Sequence, residues 1–327
     1  FPMNFPHFEN PAAANIKLPP YNAKGDGRHD DTVAIQRAID ENEIVFFPKG
    51  YFVISKTLNT RESSKLIGIN KCFSIIMPKT DTAYFNNQHS PNPIISSKGN
   101  DTILADLGIY TPKCASGAYA LSWESGGKSV VRDLNFLSQP PINGYRQPGT
   151  PNKKNFPLVR IYGNGGGQWW NFFQEDSYYQ NHNYRHLLIT NANGPLMIYQ
   201  CNPEHSKGDA NMEIINSKNI SIFGLKSEGN STILKITNSD NISIFGYGGN
   251  ASALENKALF QIEDSINVTA ANILDSPIPS WTKLPEGLSW TAIDPRLWHM
   301  IEDKSRSGDF KQTDPMERIV LYSLEGD

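Results

Sequence analysis

Isoleucine alternates with polar residues in two nearly identical stretches of the chain. Residues 216–224 read NSKNISIFG and residues 238–246 read NSDNISIFG, with one mismatch at an offset of 22 residues. Ile220 and Ile222 flank Ser221, and Ile242 and Ile244 flank Ser243. In a strand, those isoleucines share one face. The Asn-Ser pairs ahead of them are turn chemistry. A period near 22 is too short for a propeller blade and matches one coil of a solenoid. The pattern predicts an all-β fold, a parallel β-helix. Looser versions of it occupy residues 64–77, 101–111, 128–138, 185–199 and 258–275.

One segment near the front has helical spacing instead. Val33, Ala34, Ile35, Ala38 and Ile39 recur at i, i+3, i+4. Asp30 or Asp31 is placed to N-cap that helix. A short helix there would cover the open end of the solenoid, where a bare sheet edge invites aggregation. Residues 45–55 then read as strand, Pro-Lys-Gly turn and strand. Residues 138–156 are rich in Pro, Gly and Asn and read as a long loop; residues 164–184 read as an aromatic, Gly-rich insertion. The rhythm fades after about residue 276. The expected organisation is one domain over 1–327: a cap segment at 1–44, coils at 45–276 and an irregular C-terminal cap at 277–327. That cap carries Trp281, Trp290 and Trp298, a short helix near 294–303 and a last strand at 318–324.

Composition narrows the class. The 327 residues carry a net charge of −3, and Lys and Arg form no patch, so neither nucleic acid nor an anionic membrane surface is an expected partner. No apolar run approaches the roughly 18 residues of a membrane span. Cys72, Cys114 and Cys201 are widely spaced and odd in number, which reads as buried thiols and not as a disulfide or zinc framework. The chain begins Phe1-Pro2-Met3-Asn4 without a signal peptide; the expected location is secreted or periplasmic.

The stretch 21–40 and the strands that follow resemble the opening of the pectate-lyase-like β-helix superfamily. The matching residues are Gly25, Asp26, Gly27, Asp30, Asp31, Thr32, Ala34, Ile35 and Gln36, then Pro48, Gly50 and Tyr51. More narrowly, they look like the branch related to polygalacturonases and to family 55 exo-β-1,3-glucanases. The resemblance implies a right-handed β-helix that handles polysaccharide. It does not fix the reaction, because fold does not give function. The polygalacturonase Asp-Asp and Gly-His-Gly arrangements are not evident in the middle rungs, nor is the calcium-binding aspartate set of pectate lyases. No catalytic residue carries over.

The residues themselves suggest a site. Phe223 aligns with Phe245 and Glu228 with Asn250; one rung earlier Tyr199 aligns with Phe223, which places Glu204 over Glu228. Lys226 and Glu228 then face outward, opposite Leu225. Strands lie about 4.8 Å apart, so two stacked carboxylates approach the roughly 5–5.5 Å of retaining glycosidases. Glu204, Glu228 and His205 are the candidate catalytic residues. The bland alternative is that both glutamates are ordinary solvated carboxylates. Asn202, Asn230, Asn250, Arg160 and Lys226 are candidate substrate contacts. Trp169, Trp170 and Glu175 belong to the insertion, whose aromatics (Phe172, Phe173, Tyr178 and Tyr179 besides) suit the C–H face of a sugar or pack the loop. His182, His186 and His205 lack zinc spacing, and no metal or cofactor is expected. Sequons at Asn100, Asn219, Asn230, Asn241 and Asn267 read as turn composition. The expected function is a polysaccharide-degrading enzyme, a glycoside hydrolase. The alternatives are a lyase acting on a uronate-containing glycan and a non-catalytic, tailspike-like binding solenoid.

Overall fold

A computed structural model describes residues 5–137, 154–175, 181–275, 293–305 and 307–325. The fold is the expected right-handed parallel β-helix. The residues divide into two compact units, Phe1–Lys154 with Gly167–Phe172, and Asn155–Gly166 with Phe173–Asp327.

In the first unit, the helix Thr32–Glu41 buries Ile35, Ala38 and Ile39. Asp31 does not cap it through its side chain. Its carboxylate instead accepts from the backbone N–H groups of Lys24 and Gly25, at 2.6 and 2.9 Å. Asp30 takes the N–H of Thr32. Residues 45–55 form the predicted pair of strands, Ile44–Phe47 and Gly50–Ile54. Parallel pairing then stacks Val45, Leu66, Leu104, Val131 and Trp169 in one column. All five are buried. A second column runs through Phe52, Ile76, Ile109 and Phe136, also buried.

The second unit carries the repeat. Leu196, Ile220, Ile242 and Val268 stack in register, as do Ile198, Ile222, Ile244 and Ala270. Their side chains are buried, so the alternating isoleucines line a continuous core. Ile161, Ile189, Ile214, Ile236 and Ile262 form the matching column of the facing sheet. The turns between sheets place Asn216, Asn219, Asn238 and Asn241 in the left-handed region, which asparagine tolerates better than most residues. Their amides stack from rung to rung: Asn241 Nδ2 donates to Asn219 Oδ1 at 2.8 Å, and Asn238 Nδ2 to Asn216 Oδ1 at 2.5 Å. The sequon asparagines Asn219, Asn241 and Asn267 are left-handed turn residues of this kind.

Three local expectations fail. The region 294–303 is a 3-10 turn at Pro295–Leu297 followed by a strand, His299–Lys304, which pairs in parallel with Ala258–Glu263. The edge of the sheet captures that segment, and the parallel stack therefore runs past residue 276. Antiparallel strands finish both sheets, Leu321–Leu324 against Ile266–Asp275 and Phe310–Gln312 against His299–Lys304. The second failure is at 167–174, read as insertion but folded as a strand, Gly167–Gln174. The third concerns the thiols: Cys201 is buried in the column of Leu225 and Tyr247, but Cys72 is exposed and Cys114 half-buried, and none of the three is in a disulfide. Of the expected loop 138–156, residues 138–153 lie outside the described residues, as do Asp176, Tyr178, Tyr179, Trp281 and Trp290.

Candidate active site

The strand Lys218–Gly229 bends at Gly224, which takes a positive φ. Beyond the bend, Leu225 and Ser227 point inward while Lys226 and Glu228 point out. The neighbouring strand Leu196–Pro203 keeps the register Tyr199 to Phe223 and Cys201 to Leu225. Glu204 follows directly and comes beside Glu228. The Lys226 ammonium donates to Glu204 Oε1 and, at 2.7 Å, to Glu228 Oε1. His205 completes the cluster, with Nδ1 3.5 Å from Glu204 Oε2 and Nε2 3.9 Å from Glu228 Oε2.

Backbone contacts fix these groups. Glu204 N–H donates to Gln174 O at 2.8 Å, and His205 N–H to Glu228 O at 3.0 Å. His205 sits at φ 57 and lies so near Gly229 that a Cβ on that glycine would stand 3.1 Å from the His205 Cα. Ser227 Oγ donates to Pro203 O at 2.6 Å and accepts from Asn211 Nδ2 at 2.8 Å. His186 lies behind Glu204, with Nε2 2.6 Å from the Glu204 carbonyl oxygen. A carbonyl can only accept, so Nε2 carries the proton, and Nδ1 accepts from Tyr184 Oη at 2.9 Å. Burial pushes His186 down to about 3, which keeps the ring neutral.

The electrostatics separate the two carboxylates. The Glu204 side chain is 3% exposed and that of Glu228 26%. Burial raises the Glu204 pKa above the ordinary carboxylate range; the Lys226 ammonium opposes this and the Glu228 charge adds to it. Burial pulls Lys226 down, but its hydrogen bonds to both glutamates outweigh that and hold it above the usual lysine value. Burial lowers His205, against the opposing charges of Glu228 and Glu175.

Among the described residues, Glu204, His205 and Glu228 are grouped as a metal site would be, each offering an atom within 4.8 Å of the others. The lysine ammonium already supplies the positive charge there. A cation would have to compete with it.

Comparison with known proteins gives the setting of this cluster. A model described as rhamnogalacturonase A/epimerase, pectate lyase-like, matches residues 15–184, which is more than half of the chain. The chain belongs to that family. The pectate-lyase-like match ends before Glu204 and Glu228. Among curated relatives, a probable glucan endo-1,3-beta-glucosidase of Arthroderma benhamiae is 30% identical over 175 residues, 48% of this chain and 19% of that protein. A glucan 1,3-beta-glucosidase of Cochliobolus carbonum is 29% identical over 109 residues, 31% of this chain and 13% of that protein. The matched segments thus span less than a fifth of either relative. Among solved structures, pre-mature gene product 12 of bacteriophage phi29 has a TM-score of 0.53 at 13% identity, covering 81% of this chain and 42% of that one; the likeness is one of fold.

The remaining candidates of this family member divide. Asn202 hydrogen-bonds Glu204, and the charge of Glu175 acts on His205, so both join the cluster. Asn250 stands in register with Glu228 on the next rung. Asn230 follows Gly229 and accepts from Ser252 Oγ at 3.4 Å. Arg160 does not join them. It lies on the other sheet, in register with Leu188, over the Phe156 ring. Trp169 is not a platform: it continues the inward column of Val131, is fully buried, and meets Trp123 edge-on with centroids 5.4 Å apart. Trp170, one residue on, is half-buried against Ile103, Ala105 and Val130. The alternation of the strand decides both. An aromatic stack of the second unit instead reaches the surface: Phe245 is exposed, and the half-buried Phe223 and Tyr199 stack behind it, with centroids 5.4 and 5.0 Å apart. Sequence reasoning missed Tyr184 and His186 as supports of Glu204. The contact joins residues 18 apart, one just before the strand Leu187–Ala192 and one just after the strand Leu196–Pro203, and leaves no local signature.

Proposed function

We propose that this chain is a polysaccharide-degrading hydrolase that cleaves a neutral glucan with Glu204 and Glu228 as its carboxylate pair. The observation that carries the reading is the bridging of both glutamates by the Lys226 ammonium, with carboxylate oxygens within 4.8 Å. That closeness of one oxygen from each carboxylate is nearer the retaining arrangement, roughly 5–5.5 Å, than the roughly 6.5–9.5 Å that leaves room for an inverting water.

The roles follow from environment. Glu228, the more exposed carboxylate, attacks the anomeric carbon. Glu204, whose burial favours the protonated form, gives its proton to the departing glycosidic oxygen. In the second step the Glu204 carboxylate takes a proton from water, the hydroxide attacks the anomeric carbon, and the bond to Glu228 breaks. Lys226, whose side chain is 45% exposed, swings outward to open Glu204 to the leaving group. His186 and Tyr184 hold the backbone of Glu204 in place.

Charge favours a neutral sugar over a uronate. Two glutamates share one ammonium, His205 is biased toward neutrality, and Glu175 adds further negative charge. A lyase needs spare positive charge to offset a uronate, and Lys226 is committed to the glutamates. The names of the curated relatives support a β-1,3-glucan as the first substrate to try. Where such a protein works, outside the cell or in the periplasm, follows from the same reading.

The test is kinetic. Glu228→Gln and Glu204→Gln each keep side-chain shape and remove the titrating group. Each should lower kcat on soluble β-1,3-glucan by about 10²–10⁴-fold, the usual worth of a placed proton-transfer group, with an unchanged melting temperature. Full activity in both variants would remove the assignment.

A further inference from the structure

We propose that the outward surface over Gly248 and Asn250 is the subsite that seats an uncharged pyranose unit next to Glu228, with Leu274 as its apolar wall. This rests on the carboxylate-pair reading and names the substrate contact of the same site.

The register sets out the geometry. On the outward face, one column runs Lys226, Gly248, Leu274, and the next pairs Glu228 with Asn250. Lys226 and Leu274 carry long side chains, and Gly248 between them carries none. The result is a gap one rung wide, open to solvent, with the lysine on one side and the leucine on the other. Among the described residues, a Cβ built at Gly248 meets no atom within 4 Å. Its neighbour behaves in the opposite way: a Cβ at Gly249 would stand 2.1 Å from Ser227 O, so that glycine is required by the packing. Gly248 also lies outside the left-handed region in which only glycine is at ease. Neither packing nor backbone conformation therefore calls for glycine at 248, although glycine weakens a strand interior.

Open space beside a carboxylate pair is what a substrate ring needs. Leu274 is 57% exposed, a large apolar side chain left in water at the edge of the gap. It offers a surface to the C–H face of a pyranose. Asn250, beside Glu228, offers an amide that both donates and accepts, suited to vicinal hydroxyls. Among the described residues, the outward-facing charges beside the gap are Lys226, already shared between two carboxylates, and the carboxylate of Glu228, while the side chain of Asp275, on the Leu274 strand, is buried and lies against Arg318. The subsite therefore disfavours uronate and sulfate and favours a neutral hexose.

The experiment measures oligosaccharide binding to the full chain by calorimetry, with a β-1,3-linked glucohexaose and an oligogalacturonate as probes. Gly248→Val adds a side chain into a gap that none of the described residues fills. The fold should hold, with a melting temperature equal to or above the parent, since a β-branched residue suits a strand. Affinity for the glucohexaose should fall at least tenfold. Leu274→Ala should weaken it severalfold, and the parent should bind the oligogalacturonate more weakly than the glucohexaose. Parent-like affinity in Gly248→Val, no binding of glucohexaose to the parent, or tighter binding of the oligogalacturonate would each overturn the proposal. Failure here and failure of the catalytic reading are separable. If Gly248→Val binds as the parent does while Glu228→Gln is inactive, the subsite is wrong and the carboxylate pair stands; if Gly248→Val loses affinity while both Glu→Gln variants stay active, the reverse holds.

Discussion

His186 donates its Nε2–H to the backbone carbonyl of Glu204 at 2.6 Å, from a fully buried position. The backbone of Glu204 is thereby held from behind by a ring that stays neutral across the working pH range, because burial keeps its pKa at about 3. His186→Phe fills the volume and removes both ring nitrogens, leaving the Glu204 carbonyl and the Tyr184 hydroxyl to find other partners. Stability should fall by about 1–3 kcal/mol, the cost of buried groups left unsatisfied. kcat should drop severalfold with KM little changed. Tyr184→Phe should do less of both. Denaturant titration and steady-state kinetics on the two variants check this; a His186→Phe protein equal to the parent in both would show that the contact does not position Glu204.

Trp169→Ala should be a stability variant. Its side chain is fully buried beneath Val131 and against Trp123. Truncation should cost about 3–5 kcal/mol, read as a lower urea midpoint. Trp170→Ala, at a half-buried position, should cost clearly less. The reverse order would mean that the column through Val45, Leu66, Leu104 and Val131 does not include Trp169.

Asp275 supplies a pH dependence. It is in register with Gly249, accepts from Tyr247 Oη at 3.2 Å, and lies 3.6 Å from Arg318 Nε. Burial raises it to about 6, against the lowering effects of Arg318 and Tyr247. A carboxylate whose folded pKa lies above its unfolded value makes the folded state bind the proton more tightly. Its contribution to stability is therefore complete below the ordinary carboxylate pKa and is lost as pH rises through about 6. The difference in melting temperature between the parent and Asp275→Asn should change between pH 4 and 7, with the parent gaining relative to the variant on the acid side. A constant difference over that window would contradict the assignment.

The repeat made the core of the second unit legible. Ile220, Ile222, Ile242 and Ile244 alternate with serine at one-rung spacing, and period two admits only one face for all four. The same counting carried Tyr199 onto Phe223 and so brought Glu204 to Glu228, and it set Lys226 outward. It gave no help where the period was lost. Trp169 lies in a stretch without a repeat, so its inward parity is fixed by pairing with Val131, a partner 38 residues away. The fate of 294–303 was equally hidden, because Trp298, Met300 and Ile301 suit a helix turn or a strand until a sheet edge captures them. The burial of Glu204 and its support by His186 are tertiary facts, formed between strands and written into no local pattern.

The retaining two-carboxylate account is tested most directly by following the parent protein on a β-1,3-gluco-oligosaccharide by proton NMR and recording which anomer of the new reducing end appears first. The account predicts a saturated product whose β-anomer appears first and then mutarotates, and no such signal from Glu228→Gln. An initial α-anomer, an unsaturated uronate released from an acidic glycan in its place, or an unchanged signal from Glu228→Gln would contradict it.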